Sequence, residues 1–115
     1  MPVKIPSFSR EALAYLIYDS GGESLPEVFA LGEDEFVRFG RQKSICERVI
    51  NDIRISRLHA TILFMDGNFC IQDEGSSGGT YVNRRKLELD SMHVLQHGDT
   101  IHFNEVVYRF ELAKE

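Results

Sequence analysis

The sequence predicts an all-β domain, a sandwich of two sheets built from short strands, and three observations predict it. Apolar residues fall in short runs separated by Gly, Asp, Asn and Ser; the runs are rich in β-branched and aromatic residues; two of the separators are tight-turn signals. At 115 residues the chain has room for a single domain. It can bury roughly two-thirds of its unfolded surface, enough to fold without metal or disulfide help. Its 43% hydrophobic and 27% charged residues match an ordinary folded domain, with no internal repeat, low-complexity tract or long linker.

Taken in order, residues 1–10 read as an N-terminal extension and the core as about residues 12–112. Ser9 to Tyr18 is the one stretch with a helical reading, but its β-branched and aromatic end favours a strand from Leu13 to Tyr18. Strands follow at Val28 to Leu31, Phe36 to Gly40 and Val49 to Ile50. His59 to Met65 and Phe69 to Asp73 form a hairpin, because Asp66, Gly67 and Asn68 between them tolerate left-handed backbone. Thr80 to Val82 and Arg85 to Glu88 come next. Gly98 bends the chain into Thr100 to Phe103, with Asp99 bonding the backbone locally. Asn104 and Glu105 then turn it into the last strand, Val106 to Leu112. About ten short strands in this length make a two-sheet sandwich.

Composition excludes several classes of function. No apolar stretch approaches the ~20 residues of a membrane-spanning helix, and the N-terminus lacks a signal-peptide pattern, so a cytoplasmic protein with no membrane partner is expected. Cys46 and Cys70 are too few for a disulfide framework and wrongly spaced for zinc; buried free thiols are expected. A net charge of −5 argues against nucleic-acid binding. The charge is uneven, however. Residues 38 to 86 hold nine of the 13 basic residues against five acids, which suits a small local anion site on a protein that repels extended polyanions.

Four constellations carry the candidate chemistry. Gly40-Arg41 ends a strand and projects a planar donor fork suited to phosphate or carboxylate. Ser56-Arg57-Leu58-His59 places a hydroxyl and a second guanidinium before the next strand, where loop N–H groups can complete an anion nest. His59 heads an apolar run, so holding a loop by hydrogen bonds fits it better than acting as a base. Gly75 to Asn83 is a polar, Gly-rich loop that lets a ligand approach closely, but neither a Lys-Ser/Thr pair nor a helix follows it as a nucleotide loop requires. Leu95 to Ile101 reads as scaffolding.

In this order and spacing these residues resemble the forkhead-associated (FHA) domain, a phosphothreonine-peptide-binding module. Gly40-Arg41, Ser56 with His59, Gly79-Thr80 with Asn83, and Leu95 with Gly98-Asp99 all stand in the family's register, and Asp52 to Ile55 and Ala60 also match. The resemblance implies an FHA/SMAD-like sandwich of about ten to eleven strands whose loops at one end form the peptide site. It implies that Arg41 holds the phosphate, that Ser56 donates its hydroxyl to it, and that Arg57 and Ser77 approach it. His59 would brace the loops from behind rather than touch the ligand, with Gly40 and Gly79 also supporting the site, while Thr80 and Asn83 stabilise loop and turn. Where the family usually carries an asparagine that grips the peptide main chain, this sequence has Gly78. That departure removes about one hydrogen bond, ~0.5–1.5 kcal/mol, unless Ser77 or a neighbouring loop compensates. Lys43, Arg48, Arg54, Arg84 and Arg85 are placed either to favour acidic residues flanking the phosphothreonine or simply to be solvated.

The implied partner is a phosphothreonine-containing protein or peptide, a substrate of a Ser/Thr kinase, read without catalysis or cofactor. Other readings stand beside it. The fold can serve as an interaction or assembly module that has lost phosphate dependence, with Gly78 its best support. Ser56, His59 and Asp52 or Asp99 can be drawn as a hydrolase triad, but a triad is defined by geometry. His93, His97 and His102 invite a metal reading; His93 and His97 have helical spacing, yet the Gly98-Asp99 turn interrupts any such helix. Domains of this kind are usually parts of longer chains. No threonine precedes Thr61, so self-association through a phosphorylated N-terminal tail of this sequence is not expected, and a monomer is.

Overall fold

The alternation of apolar and polar residues sorts each strand into a core face and an outer face, and this sets the architecture. The computed structural model describes residues 12–113. Its strands are β1 (Ala14–Ser20), β2 (Val28–Leu31), β3 (Phe36–Gly40), β4 (Arg48–Val49), β5 (Ala60–Met65), β6 (Asn68–Asp73), β7 (Thr80–Val82), β8 (Arg85–Lys86), β9 (His93–Val94), β10 (Thr100–Phe103) and β11 (Val106–Leu112). They form one six-stranded sheet, in the order β2-β1-β11-β10-β7-β8, and one five-stranded sheet, in the order β4-β3-β5-β6-β9. No helix forms among the described residues, so the all-β sandwich predicted from sequence is the fold.

The core is the set of inward side chains from both sheets. In β11, Val106, Tyr108 and Phe110 are fully buried while Val107 and Arg109 face outward. Phe39 of one sheet stacks on Phe103 of the other, with ring centroids 5.5 Å apart, and Phe29 meets Phe39 edge-on at 5.4 Å. Tyr108 satisfies its buried hydroxyl by donating to the Pro26 carbonyl at 2.7 Å, and burial pushes that phenol above its ordinary range. The turns behave as their residues dictate. Asp66 and Gly67 have φ of 54° and 81°, Asn104 has 57°, and Gly98 has 93°.

Departures from the sequence reading are local. β8 stops at Lys86 rather than Glu88, and β9, a two-residue strand pairing Cys70 and Ile71 with Val94 and His93, was not predicted. The helical reading fails from Ala14 onward, because β1 is zipped between β2 and β11; its residues 9–11, like the whole of the expected N-terminal extension, lie outside the described residues. Parallel pairing of β3 with β4 also has no signature in a local pattern. No helix of the described residues is long and apolar enough to cross a membrane. Cys46 and Cys70 are free and buried.

Candidate functional site

Gly40 closes β3, and it has to be glycine: a Cβ there would sit 2.1 Å from the Arg57 carbonyl oxygen and 2.8 Å from Cys46 Sγ. This close approach lets the loop after β3 and the loop before β5 lie side by side. Arg41 N donates to the Ser56 carbonyl at 3.0 Å, Gln42 N to the Arg57 carbonyl at 3.2 Å, and Cys46 Sγ to the same Arg57 oxygen at 3.1 Å. Arg41 also uses its side chain as a brace, its Nε donating to the Ile55 carbonyl at 2.9 Å. Among the described residues its two Nη groups make no hydrogen bond, so the outer edge of the guanidinium faces solvent with its donors unspent.

Ser56 links this pair of loops to a third. Its Oγ accepts from Ser77 N at 3.0 Å and lies 3.3 Å from Ser77 Oγ, so the two hydroxyls meet at the rim. Arg57 is exposed beside them and makes no ion pair among the described residues. The structure therefore gathers Arg41, Ser56 and Ser77 from three loops, with Arg57 exposed next to Ser56 in the chain. A guanidinium edge with unspent donors and two hydroxyls meet at this rim, an arrangement suited to a small, multiply charged anion.

Behind the rim, His59 ties the loops together. Its ring is fully buried; Nδ1 accepts from Ser56 N at 3.1 Å, which leaves the proton on Nε2 to donate to the Gly79 carbonyl at 2.9 Å. Burial pushes its pKa below the ordinary histidine range, against the raising effect of the Gly79 bond, and the ring stays neutral. With both nitrogens committed to backbone, His59 makes no hydrogen bond with Ser56 Oγ. Asp52 is held by Arg54, and Asp99 by Asn83, so the hydrolase-triad drawing does not correspond to the geometry. The metal reading likewise loses its basis: His93 lies in a strand, His97 Nδ1 accepts from Leu112 N, and no cluster of metal-ligating side chains occurs among the described residues.

The Gly-rich loop is closed by a residue that sequence reasoning missed. Asp73, at the end of β6, accepts from Gly75 N at 2.9 Å, Ser76 N at 3.1 Å, Ser76 Oγ at 2.5 Å and Thr80 Oγ1 at 2.7 Å. Burial alone would raise its pKa, but these donors outweigh burial and hold the carboxyl below its ordinary value. Ser76 Oγ in turn accepts from Gly79 N at 2.9 Å, and Gly79 takes a φ of 88°. The available signal was an Asp at a strand end followed by Gly and Ser, the pattern of a side chain that caps its own loop. Thr80 Oγ1 donates to Asp73 Oδ1, and Asn83 donates through Nδ2 to Asp99 Oδ1 and accepts through Oδ1 from Thr100 N.

Gly78 sits against Asn104. A Cβ at Gly78 would lie 2.1 Å from Asn104 Nδ2 and 2.4 Å from its Cγ. Asn104 is fixed there by its backbone N on the Gly79 carbonyl at 2.9 Å and its Nδ2 on the Arg54 carbonyl at 3.0 Å. A side-chain amide from the β10–β11 turn thus occupies the space beside the loop where this chain lacks its own.

Of the cations expected to flank the site, two are committed elsewhere. Arg54 pairs with Asp52 and Glu105 and also donates to the Gly21 carbonyl, and the Arg54 donors pull Asp52 down to about 2. Arg48 donates to the Ala30 carbonyl at 2.9 Å. Lys43, Arg84 and Arg85 are exposed and make no ion pair among the described residues.

An eleven-stranded sandwich whose donor-lined rim is assembled from loops at one end defines a class of recognition domain, and the comparisons agree on which. The FHA domain family's sequence profile matches residues 37–104. The chain belongs to the FHA domain family. It is similar to nibrin of Danio rerio, at 40% identity over 98 residues, covering 84% of this chain and 11% of nibrin, so it spans about a tenth of that relative. Its structure is similar to the solution structure of an FHA domain from an Arabidopsis thaliana hypothetical protein, with TM-score 0.81, 28% identity, and 90% and 88% of the two chains covered. It also shares its fold with the MEK1 FHA domain crystallised with the HOP1 pThr318 peptide, with TM-score 0.73, 24% identity, and 90% and 100% covered.

Proposed function

We propose that this domain binds phosphothreonine-containing segments of partner proteins, which are substrates of Ser/Thr kinases, and that it does so as a monomer covering residues 12–112. The observation that carries the reading is the donor cluster. Arg41 is braced through Nε at 2.9 Å so that its Nη groups stay free, beside the Ser56 and Ser77 hydroxyls 3.3 Å apart. A phosphothreonine brings about −1.5 to −2 charges and three strong acceptor oxygens, which an unmodified threonine lacks. Arg41 takes the phosphate by charge-assisted hydrogen bonds, Ser56 and Ser77 donate their hydroxyls, Arg57 closes the charge from the side, and Gly78 lets the peptide backbone pass. Gly40, His59, Gly79, Thr80 and Asn83 hold these groups in place. Phosphorylation is the switch, and no bond is made or broken in the partner. Two free buried thiols fit a reducing compartment, in keeping with the cytoplasmic setting.

Calorimetric binding to a degenerate phosphothreonine peptide library, with unphosphorylated and phosphoserine controls, tests this. Binding should require phosphate and fall at least tenfold in both Arg41→Ala and Ser56→Ala, each remaining folded by circular dichroism. Failure of every pool to bind the folded wild type would leave a phosphate-independent interaction module as the reading.

A further inference from the structure

Every Ser and Thr hydroxyl among the described residues engages in a hydrogen bond except two, those of Ser20 and Ser24. Ser20 is the last residue of β1, Ser24 lies beyond it on the way to β2, and both are exposed. Each is followed three positions later by an exposed glutamate, Ser20 by Glu23 and Ser24 by Glu27, and exposed Asp19 precedes the pair. None of these carboxylates makes an ion pair among the described residues. Ser44 has the same spacing to Glu47, but its hydroxyl accepts from Gln42 and Arg38 holds the glutamate.

The backbone of this segment is suited to opening. The register of β1 on β11 shifts between Tyr18 and Ser20, leaving Asp19 out of the ladder. Ser24 holds left-handed backbone with φ of 56°, which costs a non-glycine residue energy, so drawing the loop into an extended form relieves strain. The Tyr18 hydroxyl resists it, donating to the Gly22 carbonyl and accepting from Gly22 N, each at 2.8 Å. That clasp is local, and strand ends and loops open at low cost.

We propose that Ser20 and Ser24 are phosphorylation sites of a Ser/Thr kinase with a basic substrate groove, which reads Glu23 and Glu27 by charge. In that step the serine Oγ forms a bond to the γ-phosphorus of a nucleoside triphosphate. The bond from that phosphorus to its bridging oxygen breaks, the electron pair leaves with the nucleoside diphosphate, and the hydroxyl proton passes to the kinase's carboxylate base. Each phosphate adds about −1.5 to −2 charges to a loop already carrying Asp19, Glu23 and Glu27. The loop adjoins the rim's end of the sandwich: Gly21 packs on the Glu105 carbonyl with no room for a Cβ, and Asn104, next to Glu105, packs on Gly78. Modification therefore repels a phosphate arriving at Arg41. This consequence rests on phosphothreonine binding at the Arg41 rim; the sites themselves do not.

The test incubates the folded domain with magnesium ATP and casein kinase, an acid-directed Ser/Thr kinase, and locates the phosphoryl groups by peptide mass spectrometry. Ser20 and Ser24 should both be modified, and the double variant Ser20→Ala with Ser24→Ala should take up none. Glu23→Gln with Glu27→Gln should slow uptake about tenfold or more, with circular dichroism unchanged in every variant because all four positions are exposed. Uptake at other residues instead, no uptake by the folded wild type, or a rate indifferent to the two glutamates overturns the sites; uptake at one serine alone overturns the assignment of the other. The doubly modified domain should bind a phosphothreonine peptide about two- to fivefold more weakly than the unmodified one at low salt, with the difference lost at high salt. Equal affinities at low salt overturn the coupling alone. Failure of the unmodified domain to bind any phosphothreonine peptide overturns the Arg41 rim reading and leaves the sites standing.

Discussion

Gly78 illustrates how a single position is set by its neighbour across the loops. Its missing Cβ makes room for the Asn104 amide, which is pinned at both its backbone and its Nδ2. Restoring the family's usual side chain should therefore hurt: Gly78→Asn is expected to destabilise by about 1–3 kcal/mol through overpacking. The double variant Gly78→Asn with Asn104→Gly should recover most of that loss, and thermal unfolding of the four-member cycle measures the coupling. Equal losses in the single and double variants would show that Asn104 is not the obstacle. From sequence, Gly78 reads as a lost hydrogen bond that a neighbouring loop must offset. That the neighbour is Asn104, 26 positions further along, was beyond local reading, because nothing in a turn residue announces which loop it will touch.

Among the elements, the loop from Glu74 to Gly79 depends on one carboxylate. Asp73 accepts four hydrogen bonds from it and from Thr80, and is 8% exposed. Replacing it with Asn turns an acceptor into a donor facing donors, and should cost about 1–3 kcal/mol. It should also loosen the Gly75 and Ser76 amides in hydrogen exchange, with protection unchanged in β11. Because the folded pKa lies below the unfolded one, this stabilisation is fully present above an ordinary aspartate's pKa of about 3.9 and is lost as pH falls through the folded value. Amides of this loop that hold their protection well below that range would contradict the assignment. Strand positions were legible to within one or two residues wherever β-branched and aromatic residues alternate, as in β5, β6 and β11. β9 was not, since two residues carry no periodicity and become a strand only by pairing with Cys70 and Ile71.

Across the whole molecule, His59 joins the two sheets' loops from inside the core, bonding Ser56 N and the Gly79 carbonyl and meeting Phe103 edge-on at 5.8 Å. His59→Ala should cost about 2–4 kcal/mol, combining a cavity with two orphaned backbone groups. A histidine whose folded pKa is depressed lets the unfolded chain take up the proton first. Stability is then full above about pH 6.5 and falls as pH drops towards the folded value. Denaturant titrations from pH 7.5 to 5 should show this slope in wild type and a flatter one in His59→Gln; equal slopes would mean that another group titrates. The sequence by itself determined the class of fold and marked the residues proposed for the rim, because alternation, turn residues and the ordered Gly-Arg, Ser-His and Gly-Thr pairs are local properties of the chain. Only the tertiary structure decided which cations are free, which residue closes the Gly-rich loop and what fills the space at Gly78. Those are contacts between residues far apart in sequence: Arg54 with Glu105, Ser56 with Ser77, Asn104 with Gly78. They exist only once the two sheets have brought their loops to one end.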